Sequence, residues 1–210
     1  MNNLSYALVG LVVGYVLAYV THRVFSHQNR GEALVTRTLQ SNFSAPDHHL
    51  LNHITLKHRG WTTQVDHILV SRYGVFVIET KDYSGWIFAN AKHDTWTQVL
   101  FRAKFKFQNP IRQNYRHLQA VQELLDFVPA DAIQSVVVFA GNAEFKTDMP
   151  DGVFTIGQLV AHLRSRTKEF LSINRVQFCV GRLETARLSV SGETDLEHVQ
   201  GLQRRYGQKP

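Results

Sequence analysis

Residues 64–81 read Gln64-Val65-Asp66-His67-Ile68-Leu69-Val70-Ser71-Arg72-Tyr73-Gly74-Val75-Phe76-Val77-Ile78-Glu79-Thr80-Lys81. Two short apolar runs flank a polar, glycine-containing break at Ser71–Gly74, the pattern of a β-hairpin. Pairing Val70 with Val75 and counting outward sets Asp66 opposite Glu79 and Gln64 opposite Lys81. Directly opposed residues of an antiparallel pair have Cβ atoms about 5 Å apart, and opposed like charges are destabilising. The ribbon therefore carries two carboxylates, an ammonium and an amide on one face. A divalent cation between the carboxylates removes the repulsion, and the lysine then holds an anionic substrate beside it. That is the arrangement of metal-assisted phosphodiester hydrolysis. The plainer alternative is a structural ion pair with Lys81, because an isolated buried charge is costly. The two roles of the lysine are compatible. Gln64 is either a substrate contact or a strand-end hydrogen bond.

Further along, Thr95–Gln122 holds Arg102, Lys104, Lys106, Arg112 and Arg116 and no acid, with Phe101, Phe105 and Tyr115 interleaved. Such a stretch either follows a phosphate backbone or is a solvated strand edge protected by lysines. Within it, Val99–Phe107 alternates as a strand does. Asn109 suits an N-cap and Pro110 a first helical position. The helix that follows runs towards Phe127 with Ile111, Tyr115, Leu118, Val121 and Leu125 as its apolar stripe. Gln113 lies off that stripe and faces either a cleft or solvent.

The words around the hairpin carry a family resemblance. Gly31-Glu32 precedes a helical stretch, Thr63–His67 enters the hairpin and Ile78–Gly85 leaves it. Trp96 and then Asn109-Pro110-Ile111-Arg112-Gln113-Asn114 follow. In this order, and with the spacing Asp66-x12-Glu79-x-Lys81, the chain resembles the nuclease-related domain family (NERD) of the restriction-endonuclease-like superfamily. The resemblance implies an α/β restriction-endonuclease-like mixed sheet flanked by helices over residues 30–145. It implies Mg²⁺ or Mn²⁺ at Asp66 and Glu79, with Lys81 assisting the water or the transition state. It also makes Glu32 a site member, where the residue alone reads as ordinary macrodipole stabilisation in a first helical turn. Gln113 matches the family's glutamine after the Asn-Pro pair, which favours the cleft. The resemblance implies no particular substrate; nucleic acid, with DNA the expected polymer, follows from the phosphodiester chemistry of the carboxylate–lysine face and the basic stretch. The alternative is a non-catalytic nucleic-acid-binding or membrane-associated assembly module on the same fold.

The chain has 210 residues, 44% of them hydrophobic, which suits one principal domain with additions. A net charge of +6 favours polyanionic partners. A single cysteine, Cys179, excludes an internal disulfide and a cysteine-based zinc site. It lies in the apolar run Val176–Val180, which reads as a buried strand. The chain holds 11 histidines, but His48-His49 and His53 lack a helical i, i+4 pair, and His67 points to the strand face opposite Asp66.

Asn2–Thr21 carries no charged side chain, and Leu4–Val20 is almost wholly apolar. Residues 1–22 therefore read as one transmembrane anchor at the short end of what spans a bilayer. No Lys or Arg precedes Leu4, and Ala18-Tyr19-Val20 is a poor cleavage site, so the segment is not a removable signal. Arg23 and Arg30 then put the soluble domain on the cytoplasmic side of the cell membrane. Residues 23–29 form a juxtamembrane linker. Leu50–Leu56 reads as a strand, Ile133–Ala140 as a buried strand of the parallel type, and residues 156–166 as a helix. Residues 146–210 form a C-terminal α/β extension packed on the core, with Thr194–Arg205 as a last amphipathic helix. Nothing in the sequence sets an oligomeric state.

Overall fold

The hairpin forms with the expected register. Strand β2 (Trp61–Ser71) pairs antiparallel with β3 (Gly74–Lys81), Val70 facing Val75 and Ser71 facing Gly74. Ser71 closes the turn, its Oγ donating to the Gly74 carbonyl at 3.0 Å and accepting from Tyr73 N. Gly74 has φ 136°, and a Cβ there would stand 2.7 Å from the Ala132 carbonyl oxygen, so the turn requires glycine.

The structure, a computed structural model, describes residues 30–188. The anchor over residues 1–22, the linker over 23–29 and the expected helix over Thr194–Arg205 lie outside the described residues. Among those described, no helix is long and apolar enough to cross a membrane.

Around the hairpin, β1 (His48–His58), β7 (Ile133–Phe139) and β9 (Val153–Thr155) complete a five-stranded sheet in the order β1-β2-β3-β7-β9. The β1–β2 and β2–β3 pairings are antiparallel, while β3–β7 and β7–β9 are parallel. All of β3 is buried, as a central strand with covered faces demands. One face packs on α2 (Pro110–Leu124) and α4 (Ile173–Ala186) through Ile68, Val70, Val75, Val77, Val121 and Leu183. The other packs on α1 (residues 30–42) and α3 (Ile156–Arg164) through Val35, Leu39, Phe76, Ile78 and Leu159. A second, four-stranded sheet has the order β6-β5-β4-β8. It comprises β4 (Gly85–Phe88), β5 (Thr95–Leu100), β6 (Ala103–Gln108) and β8 (Ala143–Phe145). Its inner face buries Ile87 and Trp96 against Val137 and Phe139.

Three expectations are corrected. The Val99–Phe107 run is a hairpin, not one strand: Leu100 pairs with Ala103 across a two-residue turn. Phe101 bends there with φ 56° and no glycine or asparagine to announce it. Cys179 is buried as expected but on helix α4, because Val176, Cys179, Val180 and Leu183 recur with helical spacing. Tyr115 is 54% exposed and leaves the apolar stripe. The buried face of α2 includes the polar residues Asn114 and His117 instead.

Asn114 stitches the sheet. Its Nδ2 donates to Val77 O at 2.8 Å, Val136 O at 2.9 Å and Ser135 Oγ at 2.8 Å, joining α2 to both β3 and β7. Asn114→Ala strands two buried carbonyls and is expected to cost about 2 kcal/mol. Chemical denaturation of the detergent-solubilised chain measures it; an unchanged midpoint would show those carbonyls satisfied another way.

Candidate active site

Alternation along β3 turns Glu79 and Lys81 to the same side, towards α2. Lys81 Nζ donates to Glu79 Oε1 at 2.6 Å and to Gln113 Oε1 of α2 at 3.1 Å. One turn later on α2, His117 brings Nε2 to 3.2 Å from Glu79 Oε2, close enough for an ion pair but not aligned as a hydrogen bond. The other ring nitrogen, Nδ1, shares a 2.6 Å hydrogen bond with Thr63 Oγ1. The sequence reading did not include His117 among the site residues.

Asp66 arrives through a break in regularity. The β1–β2 ladder runs to Asn52–His67, lapses at His53, and resumes at Ile54–Val65. His53 has φ 53° there, and the inward-outward alternation shifts, so that both Leu51 and Ile54 join one core cluster. The β2–β3 ladder ends at His67–Ile78. Asp66 Oδ2 then accepts from Thr80 N at 2.7 Å, so its carboxylate takes over the role of the next strand hydrogen bond. Gln64 consequently does not stand opposite Lys81. It is exposed on β2, and Gln113 supplies the amide beside the lysine.

Glu32 sits on α1, 6% exposed, with Oε2 3.4 Å from His53 Nδ1. The structure thus brings Glu32, Asp66, Glu79, Lys81, Gln113 and His117 into electrostatic contact. Of the basic residues, Arg102 lies in the β5–β6 turn, and Lys104 and Lys106 are exposed on β6. Arg112 is engaged by Asp94 and the Lys92 carbonyl, and Arg116 is on α2.

Charge in this cluster is unequally shared. Burial, then Glu79, push Glu32 up to about 7 against a partial offset from Lys81. Burial, Glu79 and Glu32 likewise raise Asp66 well above the usual carboxylate range, against its bond to Thr80 N and the charge of Lys81. Burial also works against ionised Glu79, but Lys81 and then His117 outweigh it and hold that carboxyl down to about 2. Lys81 is raised despite burial because Glu79 faces it. Burial lowers His67 to about 4, so this imidazole, 2.8 Å from Asn52 Oδ1, is neutral.

The donors fit a hard divalent cation in chemistry. They are carboxylate oxygens, burial and mutual repulsion raise the carboxyls of Glu32 and Asp66, and buried Glu79 Oε2 has the His117 ring nitrogen beside it at 3.2 Å without an aligned hydrogen bond. Asp66 and Glu79 would hold the ion, with Glu32 beside them. Among the described residues no three metal-ligating side chains form a ready-made cage.

The nuclease-related domain family matches residues 27–140, which span the hairpin, the acids, Lys81 and the Asn109–Asn114 segment. The chain belongs to the nuclease-related domain family. This family has the restriction-endonuclease-like fold, and the mixed sheet flanked by helices agrees with it. Membership suggests a nuclease-related function, an interaction with nucleic acid and a divalent metal. An uncharacterized protein of Bacillus anthracis is similar, 45% identical over 97 residues covering 46% of this chain and 45% of that protein. The aligned stretch thus spans less than half the length of this curated relative. No solved structure matches. In the family's terms the Asn109–Asn114 segment is as much scaffold as site. Asn109 caps α2 and holds the carbonyls of Ala91 and His93, Gln113 reaches Lys81, and Asn114 binds the sheet.

Proposed function

We propose that the chain is a membrane-anchored, Mg²⁺- or Mn²⁺-dependent nuclease that hydrolyses phosphodiester bonds, with DNA as the substrate. The observation that carries this reading is the buried group of Glu32, Asp66 and Glu79 around Lys81, in which burial and mutual repulsion raise the carboxyls of Glu32 and Asp66. When bound, the cation supplies Lewis acidity towards the phosphoryl oxygen. Lys81, oriented by Glu79 and Gln113, opposes the negative charge that develops on the scissile phosphate. Glu32, on α1 beside these acids, is placed to orient the attacking water. His117 fixes Glu79 from the side opposite Lys81.

Calorimetric titration of Mn²⁺ tests the reading. Asp66→Asn is expected to lower affinity at least about tenfold, since a ligand charge is lost. Equal affinity would remove Asp66 from the site. A non-catalytic binding module is the second reading, favoured by one feature: Lys81 and His117 occupy both sides of Glu79. Absence of Mn²⁺ binding by the wild-type chain would support it.

The membrane assignment rests on the uncharged 2–21 segment followed by Arg23 and Arg30. Membranes washed with alkaline carbonate are expected to retain the full chain, with protease reaching the domain from the cytoplasmic side. Release by carbonate would contradict the anchor.

A further inference from the structure

The four-stranded sheet has an outer face that the acidic site does not use, and strand register fixes which side chains share it. Trp86 pairs with Val99, and Val99 with Lys104; Phe88 pairs with Thr97, and Thr97 with Lys106. Directly opposed residues stand on the same side of a sheet. Trp86, Phe88, Lys104 and Lys106 therefore form two rows across β4, β5 and β6. Ile87 and Trp96 point the other way, into the core. Trp86 is 48% exposed and Phe88 41%. Lys104 and Lys106 are exposed and form no ion pair among the described residues. Lys146 Nζ lies 4.7 Å from the Trp86 ring centroid and pairs with Glu144, the neighbour of Trp86 on β8. That glutamate is the acid on this face, set against Lys104, Lys106 and Lys146. Phe105, by contrast, pairs with Gln98 and belongs to the inner face.

We propose that this outer face binds single-stranded nucleic acid, with bases stacked on Trp86 and Phe88 and phosphates held by Lys104 and Lys106. The inference deepens the nuclease reading and rests on it for the class of polymer. Rings two residues apart on a strand are separated by about 7 Å, roughly twice the 3.4 Å rise per base of a duplex strand. Bases that meet both rings must therefore be unstacked from one another. A duplex buries the faces of its bases, whereas a single strand offers them to aromatic side chains. Three residues, Asp82, Tyr83 and Ser84, separate Lys81 from Gly85, so β4 begins four chain steps, at most about 14 Å, from the lysine. The short connection ties the start of this face to the strand that carries Glu79 and Lys81. Aromatic and lysine side chains also meet anionic membranes, but here lysines interrupt the apolar surface row by row, which suits a polymer of alternating bases and phosphates.

Fluorescence anisotropy in EDTA tests the assignment on the full chain in detergent, with labelled oligodeoxythymidine and a short labelled duplex as probes. Trp86→Ala/Phe88→Ala is expected to weaken single-strand binding about 30-fold or more and duplex binding less than about threefold, and Trp86→Tyr/Phe88→Tyr to restore most of the loss. Lys104→Gln/Lys106→Gln is expected to flatten the salt dependence on the single strand by about 1.4 in log–log slope. Unchanged single-strand affinity, an equal loss on duplex, or an unflattened slope would each overturn the proposal. So would wild-type binding to phosphatidylserine vesicles but not to the oligonucleotide. If Mn²⁺ fails to bind at Asp66 while single-strand affinity still depends on Trp86 and Phe88, the catalytic reading falls and this one stands.

Discussion

Replacing Lys81 by methionine is expected to lower the rate of nucleic-acid cleavage about a hundredfold or more, near 3 kcal/mol in the transition state, while nucleic-acid affinity changes little. The lysine is 9% exposed and held by Glu79 and Gln113, so its charge is fixed beside the acids. A group aimed at charge that develops during reaction acts on turnover more than on binding. The same substitution has a structural consequence. It leaves Glu79 buried with His117 as its remaining partner, and breaking one side of a buried pair costs about 3 kcal/mol. Melting curves should therefore move together with activity for Lys81→Met. Lys81→Met/Glu79→Gln should recover much of the stability and none of the activity. Recovery of both would make the lysine a structural residue alone.

The second large effect concerns Glu32 and has a defined pH window. Its carboxyl is raised from 4.5 to about 7 in the folded chain. Below the unfolded value both states are protonated and the fold bears no penalty. Between 4.5 and about 7 the unfolded chain ionises and the folded one does not, so stability falls as pH rises, levelling off above 7. The full loss is about 3 kcal/mol. Asp66 acts in the same direction. Glu79, held down to about 2, acts oppositely: its contribution is present above the unfolded value and is lost as pH falls towards 2. Glu32→Gln should thus stabilise the metal-free protein by up to about 3 kcal/mol at pH above 7 and by nearly nothing at pH below 4.5. Denaturation in EDTA at the two pH values measures this. A gain of equal size at both would mean that packing, not titration, is responsible. Excess Mn²⁺ should stabilise the wild-type chain most at the higher pH, where protons compete least with it for the raised carboxyls.

Much of this site was legible because its parts are close in the chain. Two apolar runs and a glycine turn set the Val70–Val75 register, and counting from it brought Asp66, Glu79 and Lys81 to neighbouring positions. Counting beyond His67–Ile78 failed, because the ladder ends there and the backbone distortion at His53 redirects the strand: Asp66 meets Thr80 N through its carboxylate instead of pairing with Glu79, and Gln64 does not stand opposite Lys81. Nothing local marks such a distortion. Glu32 carries no signal in its own segment; tertiary packing of α1 delivers it, and family resemblance alone pointed to it. His117 and Asn114 were findable. Pro110, Asn114, His117 and Val121 recur at intervals of three and four, and polar residues on the buried stripe of a helix demand partners. The choice of Tyr115 for that stripe concealed them. The Phe101 turn was not legible, because a bulky residue at positive φ is uncommon. The turn sets the lysines of β6 on the face of Trp86 and Phe88, with Phe105 on the other face.

Strand cleavage by the detergent-solubilised full chain tests the central claim most directly. Labelled single-stranded and duplex DNA and RNA would be incubated with Mg²⁺, with Mn²⁺ and with EDTA, beside Lys81→Met under identical conditions. The account predicts products from DNA with either cation, none with EDTA, and scarcely any from Lys81→Met. Intact polymer in every tube with folded wild-type protein, or equal cleavage in EDTA, would contradict it.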